Sequence, residues 1–236
     1  MTYKFKRRKP RNLVTSIVYR IAKLPFLPIK VKFRIYSDLS WIFFRLTNEY
    51  SWPLLNGLIH PSRGKTLEFL ESKIDQNDRV LDVGCSRGEI TGKLGGMCDS
   101  VVGVDHNKYL IDEAKTRYQS KNVEFIACDA ISYLSESNSS FDIMICSHIL
   151  EHLDNPSNFL SLFKSYFKNI YIEVPDADNT YMNLIRTNFG LSSMYTDDDH
   201  IYEFTREDLE NLVIENDMKI VESEFRYGVI KLWIET

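Results

Sequence analysis

The run Val80-Leu81-Asp82-Val83-Gly84-Cys85-Ser86-Arg87-Gly88 reads as a short buried strand that breaks into a glycine-bearing turn. Gly84 permits the tight turn, and Gly88 lets a ligand or a neighbouring backbone come close. A helix should follow and end near Gly95 and Gly96, glycine being the usual helix terminator.

The same alternation continues downstream. Residues 101–105 form a second apolar strand, followed by a helix carrying Leu110, Ile111, Ala114 and Tyr118 on one face. Strands are expected at 123–128, 141–146 and 169–174. Asn155-Pro156 opens a further helix, a capping Asn before Pro at the first helical position, with the stripe Phe159, Leu160, Phe163 and Phe167 behind it. Apolar strands alternating with helices imply right-handed βαβ units and a parallel sheet covered on both faces. The end differs. Thr205, with Asp208 three residues on, caps a helix, and strands at 218–225 and 228–234 lie too close in sequence to pair other than antiparallel.

Upstream, a helix is expected around Arg63–Ile74, and residues 1–60 form a basic, aromatic helical extension. Pro10, Pro25 and Pro28 interrupt it, which predicts short helices rather than one long one. Charge is segregated: residues 1–45 hold 12 Lys and Arg against Asp38 alone, whereas the remainder holds 17 basic and 32 acidic groups. The whole chain has 236 residues and a net charge of −4. That composition excludes collagenous and disordered classes. Cys85, Cys98, Cys128 and Cys146 include no CxxC pair, so neither a disulfide framework nor a cysteine zinc site is expected. No uncharged apolar run reaches the ~18 residues of a membrane span, and a cytoplasmic location is expected.

In such a sheet, ligands bind beyond the carboxyl ends of the strands. A dinucleotide fingerprint would need glycine at 86 and 89, where Ser86 and Glu89 stand. No Walker-type GK[ST] follows. Asp82 would repel phosphate and favour an ammonium or sulfonium cation. Asp105, 17 residues beyond Gly88, can accept both hydroxyl hydrogens of a ribose, and Asp129 can receive the exocyclic amine of an adenine.

Four ordered motifs then resemble a known family: residues 80–88, Val101-Val-Gly-Val-Asp105, Phe125-Ile-Ala-Cys-Asp129-Ala130 and Phe141-Asp-Ile-Met-Ile-Cys-Ser-His-Ile-Leu-Glu-His152-Leu. Together they look like class I S-adenosylmethionine-dependent methyltransferases, over roughly residues 60–236. The implied fold is α/β: a Rossmann-like, seven-stranded, mostly parallel sheet with one antiparallel strand and helices on both faces. The methyltransferase domain would run over 61–236. By this resemblance Asp82, Gly84 and Gly88 border the methionine moiety, Asp105 and His106 the ribose, and Asp129 and Ala130 the adenine. Arg63 would meet the cofactor's carboxylate, and Cys85 and Ser147 complete the expected cofactor contacts.

His148-Ile-Leu-Glu151-His152 also fits the HxxEH signature of zinc peptidases, but that signature belongs on a helix, not after a sheet strand. In the quinone-biosynthesis O-methyltransferases, which this run resembles, matching positions can hold a divalent cation; Glu151 and His152 are the candidates here, with no metal expected. Motif four has no proline or aromatic of the kind that base-methylating enzymes use, so nucleic acid is not an expected substrate.

Residues 176–204 form an insert at the active face, where long loops usually act as lids. Its His200-Ile-Tyr-Glu-Phe-Thr205 run resembles methyltransferases of polysaccharide and O-antigen assembly. An alcohol acceptor must lose its proton as the C–O bond forms, which makes His148, His152 and His200 the base candidates, with Glu151 beside them. The expected activity is methyl transfer to a hydroxyl of a small molecule or glycan, an O-antigen-type sugar being preferred. The alternatives are a quinone or phenol O-methyltransferase, a small-molecule N-methyltransferase, and a catalytically silent cofactor-binding module. For residues 1–45 three roles stay open: peripheral contact with an anionic membrane at the inner face, a lid over the cofactor pocket, and RNA binding.

Overall fold

The computed structural model describes residues 13–23, 25–55, 59–136, 140–194, 197 and 199–236. The basic residues from Lys4 to Arg11, and Tyr195, Thr196 and Asp198 of the insert, lie outside these. The chain divides into two compact units, residues 1–44 and 45–236.

Two helices open the chain, α1 (Leu13–Ala22) and α2 (Ile29–Leu54). At 26 residues α2 overturns the expectation of short helices alone. The reason is where the prolines fall. Pro28 precedes the helix, and Pro53 sits in its last turn, where the lost N–H interrupts little. Then follow α3 (Pro61–Glu71), β1 (Arg79–Val83), α4 (Glu89–Leu94), β2 (Ser100–Asp105), α5 (Lys108–Arg117), β3 (Val123–Ala127), α6 (Ala130–Glu136) and β4 (Ile143–Ser147). After a 3₁₀ turn at Leu150–His152 come α7 (Pro156–Phe163), β5 (Asn169–Pro175), α8 (Tyr181–Asn188), α9 (Arg206–Glu215), β6 (Lys219–Arg226) and β7 (Val229–Glu235). Strand placements agree with the sequence reading to within two residues.

The seven strands form one sheet in the order β3-β2-β1-β4-β5-β7-β6. β1 to β5 are parallel, and β7 runs antiparallel to both β5 and β6. This is the Rossmann-like sheet with one reversed strand that the sequence implied. The period of two along β4 divides its side chains between two cores. Ile143 and Ile145 pack with Leu67, Leu70 and Leu94, while Met144 and Cys146 pack with Leu160, Leu209 and Val213. Edge strand β6 carries Lys219, Glu222, Glu224 and Arg226, charges that discourage pairing with another chain.

Local chemistry sets the boundaries. Pro61 is at the start of α3, whose cap is His60: its Nδ1 accepts from the Ser62 N–H. Asn155 caps α7 through the Asn158 N–H, and Thr205 and Asp208 form a reciprocal capping box on α9. The insert is a clipped excursion rather than an open loop. The Ala177 N–H donates to the Phe204 carbonyl at 3.0 Å, and the Arg206 guanidinium holds buried Asp176 at 2.8 Å. Inside it, Thr180 caps α8.

Candidate active site

The carboxyl ends of β1, β2 and β4 open onto two adjoining clefts. The first, of about 340 Å³, is lined by Trp52, Arg63, Asp82, Gly84, Cys85 and Ser147, among others. The second, of about 650 Å³, is lined by Asp105, His106, Asp129, Ala130, His148 and His152 with the apolar side chains of Val83, Ile149, Leu153 and Phe159. Every sequence-derived site residue except Gly88, Glu151 and His200 thus lines one or the other.

The β1 turn is made by positive φ. Gly84 and Gly88 have φ of 69° and 72°, and Ser86 follows at 51°. A Cβ on Gly84 would stand 2.0 Å from Ile149 Cδ1, and one on Gly88 would stand 2.5 Å from the Phe125 ring. Gly88 therefore lets the turn and the start of α4 pack closely against Phe125 of β3. Ser86 takes its left-handed conformation because its N–H donates to Asp105 Oδ2 at 2.9 Å, while the Asn107 N–H donates to Oδ1 at 2.8 Å. Asp105 thus ties the first two strand-end loops together and keeps lone pairs for a ligand. His106 is almost fully exposed beside it. Asp129 Oδ1 accepts from the Ser132 N–H and hydroxyl at the start of α6.

Asp82 is buried and accepts from Thr91 Oγ1 at 2.5 Å. Burial pushes its pKa up to about 6, with the Thr91 hydrogen bond and the Arg63 charge working against the rise. Arg63 donates to Ser147 Oγ at 3.2 Å. One cleft therefore holds a carboxylate and a guanidinium, the pairing that a zwitterionic ligand needs. Cys85 is buried and its thiol is pushed far up by burial, so it is inert lining.

The β4 end carries a buried ionic network. His148, at φ 57°, places Nδ1 3.1 Å from Glu151 Oε1 and Nε2 3.2 Å from Glu173 Oε1. Glu173 on β5 also accepts from Thr66 Oγ1 at 2.8 Å and from the Tyr171 hydroxyl. Burial would lower the His148 pKa, but the bonds to Glu151 and Glu173 outweigh it and raise it to about 9. For Glu173 burial is likewise outweighed, chiefly by His148, and its carboxyl is held well below the ordinary range. Both ring nitrogens of His148 are thus engaged, and the ring is an imidazolium near neutral pH. It has no lone pair for a substrate proton or for a metal. The trio His148, Glu151 and His152 therefore does not fit a cation as a set. The peptidase reading fails on the same ground, and Leu150–His152 is a 3₁₀ turn, not a helix face.

The insert brings His200 to this end. Its side chain is buried, its Nδ1 lies 3.1 Å from Glu203 Oε1, and its ring meets that of His152 edge-on with centroids 4.9 Å apart. The hydrogen bond to Glu203 raises its pKa. Asp197 of the insert pairs with Arg45 at 3.0 Å.

Sequence reasoning missed Trp52, Glu173, Thr66 and Glu203. Trp52 stacks on His60 at 3.9 Å and lies 5.9 Å from the Arg63 guanidinium. An indole before Pro53 was the available signal. Glu173, a lone acid in the apolar run of β5, was legible as a buried charge that must have a partner.

A methyltransferase-domain family model matches residues 60–223. Among curated proteins, a ubiquinone biosynthesis O-methyltransferase of Coxiella burnetii is 31% identical over 135 residues, covering 56% of this chain and 53% of that protein. The match thus spans about half the length of the relative. Among solved structures, magnesium protoporphyrin IX methyltransferase of Synechocystis PCC 6803 with bound S-adenosylhomocysteine superposes with a TM-score of 0.58. It is 15% identical, with 95% of each chain covered. A methyltransferase from Archaeoglobus fulgidus gives 0.56 at 22% identity, covering 78% of this chain and 99% of that one.

Proposed function

This chain belongs to the methyltransferase-domain family, and on that premise we propose that it transfers a methyl group from S-adenosylmethionine to the hydroxyl of a phenolic, quinone-type small molecule. The cofactor supplies an electrophilic methyl on a sulfonium, which becomes a neutral thioether as the acceptor oxygen takes the methyl and loses its proton. Arg63 and Asp82 hold the two ends of the amino-acid moiety, Asp105 the ribose, and Asp129 with Ala130 the adenine. The protein's main contribution is orientation.

A phenol ionises near pH 10, so its oxygen needs either a base or positive charge beside it. His148 is committed to its two carboxylates and acts as a positioning residue for Glu151. His152, which lines the larger cleft, remains as the group that meets the acceptor oxygen, with His200 packed edge-on behind it. The observation that carries the phenolic reading is the naming of the curated relatives as ubiquinone O-methyltransferases. The apolar side chains of Ile149, Leu153 and Phe159 beside His152 in the larger cleft are compatible with a flat ring there. The glycan acceptor placed first from the sequence has no counterpart among those relatives. Incubation with methyl-labelled cofactor and matched sets of catechols and sugars, read by mass spectrometry, tests this. Methylated catechols without methylated sugars are expected; the reverse would overturn the acceptor class.

Residues 1–45 serve, in this proposal, to bring the enzyme to an anionic bilayer surface. No helix among the described residues is long and apolar enough to cross a membrane. Val31, Ile35, Leu39 and Ile42 of α2, spaced by four, four and three residues, are nevertheless all exposed, as are Phe26 and Ile29. Arg20, Lys23, Lys30 and Arg34 accompany them. Apolar residues at the headgroup level plus about 1 kcal/mol per nearby cation make a peripheral contact. The full chain should float with anionic vesicles and not with neutral ones, and Ile35→Asp with Leu39→Asp should cut the bound fraction about tenfold. Equal flotation of wild type and variant would sink the membrane role.

A further inference from the structure

We propose that Trp52, in the last turn of α2, is the outer wall of the cofactor's amino-acid subsite and presents its indole to the α-ammonium group that Asp82 holds. This rests on the proposed methyl transfer for the placement of the cofactor. The family model matches residues 60–223, so the shared domain pattern does not include Trp52.

The indole lines the smaller cleft together with Arg63, Asp82 and Ser147. At 38% exposure it retains surface for a ligand. A chain of hydrogen bonds fixes its position. The Ser51 hydroxyl donates to the Asn48 carbonyl at 2.6 Å, and its oxygen lies 2.9 Å from His60 Nε2. His60 Nδ1 accepts from the Ser62 N–H at 3.3 Å and lies 2.6 Å from the Ser62 hydroxyl. Nδ1 is therefore the unprotonated nitrogen, and Nε2 carries the hydrogen that Ser51 accepts. Burial, with the Arg63 charge beside it, holds the His60 pKa below its ordinary value. A neutral imidazole thus backs one face of the indole, with centroids 3.9 Å apart and planes 16° from parallel. The same His60 ring caps α3, which carries Arg63 in its first turn. One histidine thereby sets the spacing between the indole and the guanidinium, whose Cζ is 5.9 Å from the ring centroid.

The chemistry of the wall selects the group that meets it. A carboxylate needs donors, which an indole face lacks, whereas a cation is attracted by the negative face of the ring, tryptophan being the strongest case. Arg63 stands at the outer limit of that attraction and is tied to Ser147 Oγ at 3.2 Å, so a closer cation gains more. An ammonium group between Asp82 and the indole would be held from two sides, while the ligand's carboxylate turns to Arg63.

Full-length wild type, Trp52→Leu and Trp52→Phe are titrated by calorimetry with S-adenosylhomocysteine and with 5′-methylthioadenosine, which lacks the amino-acid end. Trp52→Leu should bind S-adenosylhomocysteine about tenfold more weakly and 5′-methylthioadenosine as tightly as the wild type does, which also shows that the variant is folded. Trp52→Phe, which keeps an aromatic face, should lose about threefold or less. The chain has three tryptophans; S-adenosylhomocysteine should quench the fluorescence of the wild type, and the quench should vanish in Trp52→Phe. Unchanged S-adenosylhomocysteine affinity in Trp52→Leu, or a quench that survives in Trp52→Phe, would overturn the contact. Equal weakening of both ligands would overturn the assignment to the amino-acid end. Absence of S-adenosylhomocysteine binding by the wild type would instead be a failure of the proposed function.

Discussion

Asp105→Ala is expected to weaken S-adenosylmethionine binding by about 100-fold or more, with the fold retained. Two losses add. In the proposed function the carboxylate accepts the ribose hydroxyls, and hydrogen bonds to a charged group contribute roughly 1.5–3 kcal/mol each. The same oxygens hold the Ser86 and Asn107 N–H groups at 2.9 and 2.8 Å, so the turn after β1 loses its anchor. Ser86 then has no compensation for its positive φ of 51°. Asp105→Asn keeps a single neutral acceptor and should fall between wild type and alanine. Calorimetric affinity within threefold of wild type for Asp105→Ala would show that the cofactor is held elsewhere.

Glu173→Gln is expected to destabilise the sheet by about 3 kcal/mol, because it removes the buried carboxylate of an ion pair whose His148 partner is only partly buried. The charge of His148 would be left with Glu151 alone, and Glu173 is also the shared acceptor for Thr66 and Tyr171. For a domain of this size the loss corresponds to a fall in Tm of roughly 6–12 °C. Thr66→Val, which removes one hydrogen bond to the same carboxylate, should cost about half as much. Chemical denaturation of the two variants beside wild type decides it. A Glu173→Gln loss below that of Thr66→Val would mean that the pair stabilises nothing beyond its hydrogen bonds.

The amino-acid sequence alone determined the sheet. Apolar strands separated by amphipathic helices leave one handedness and one layering, and two strands joined by a tight turn at Tyr227-Gly228 leave one direction for β7. It also placed Asp82, Asp105 and Asp129 at the strand ends, where they line the two clefts, because their positions are fixed by their place in the chain. Local signals held in the same way: Asn155-Pro156 and Thr205 with Asp208 begin helices wherever they stand.

Only the tertiary structure decided what the histidines do. His148, His152 and His200 read alike in sequence, since each is a histidine in a stretch between regular elements. Pairing across the sheet puts Glu173 of β5 beside Ser147 of β4 and so turns His148 into a locked cation. The clipped insert brings His200 against His152 across 48 residues of chain. Neither meeting has a local signature, because protonation state depends on which charges fold in from a distance. The long α2 was hidden for a related reason. Proline positions mark where a helix can break, but whether it continues between them depends on the residues in the interval and on what its face packs against.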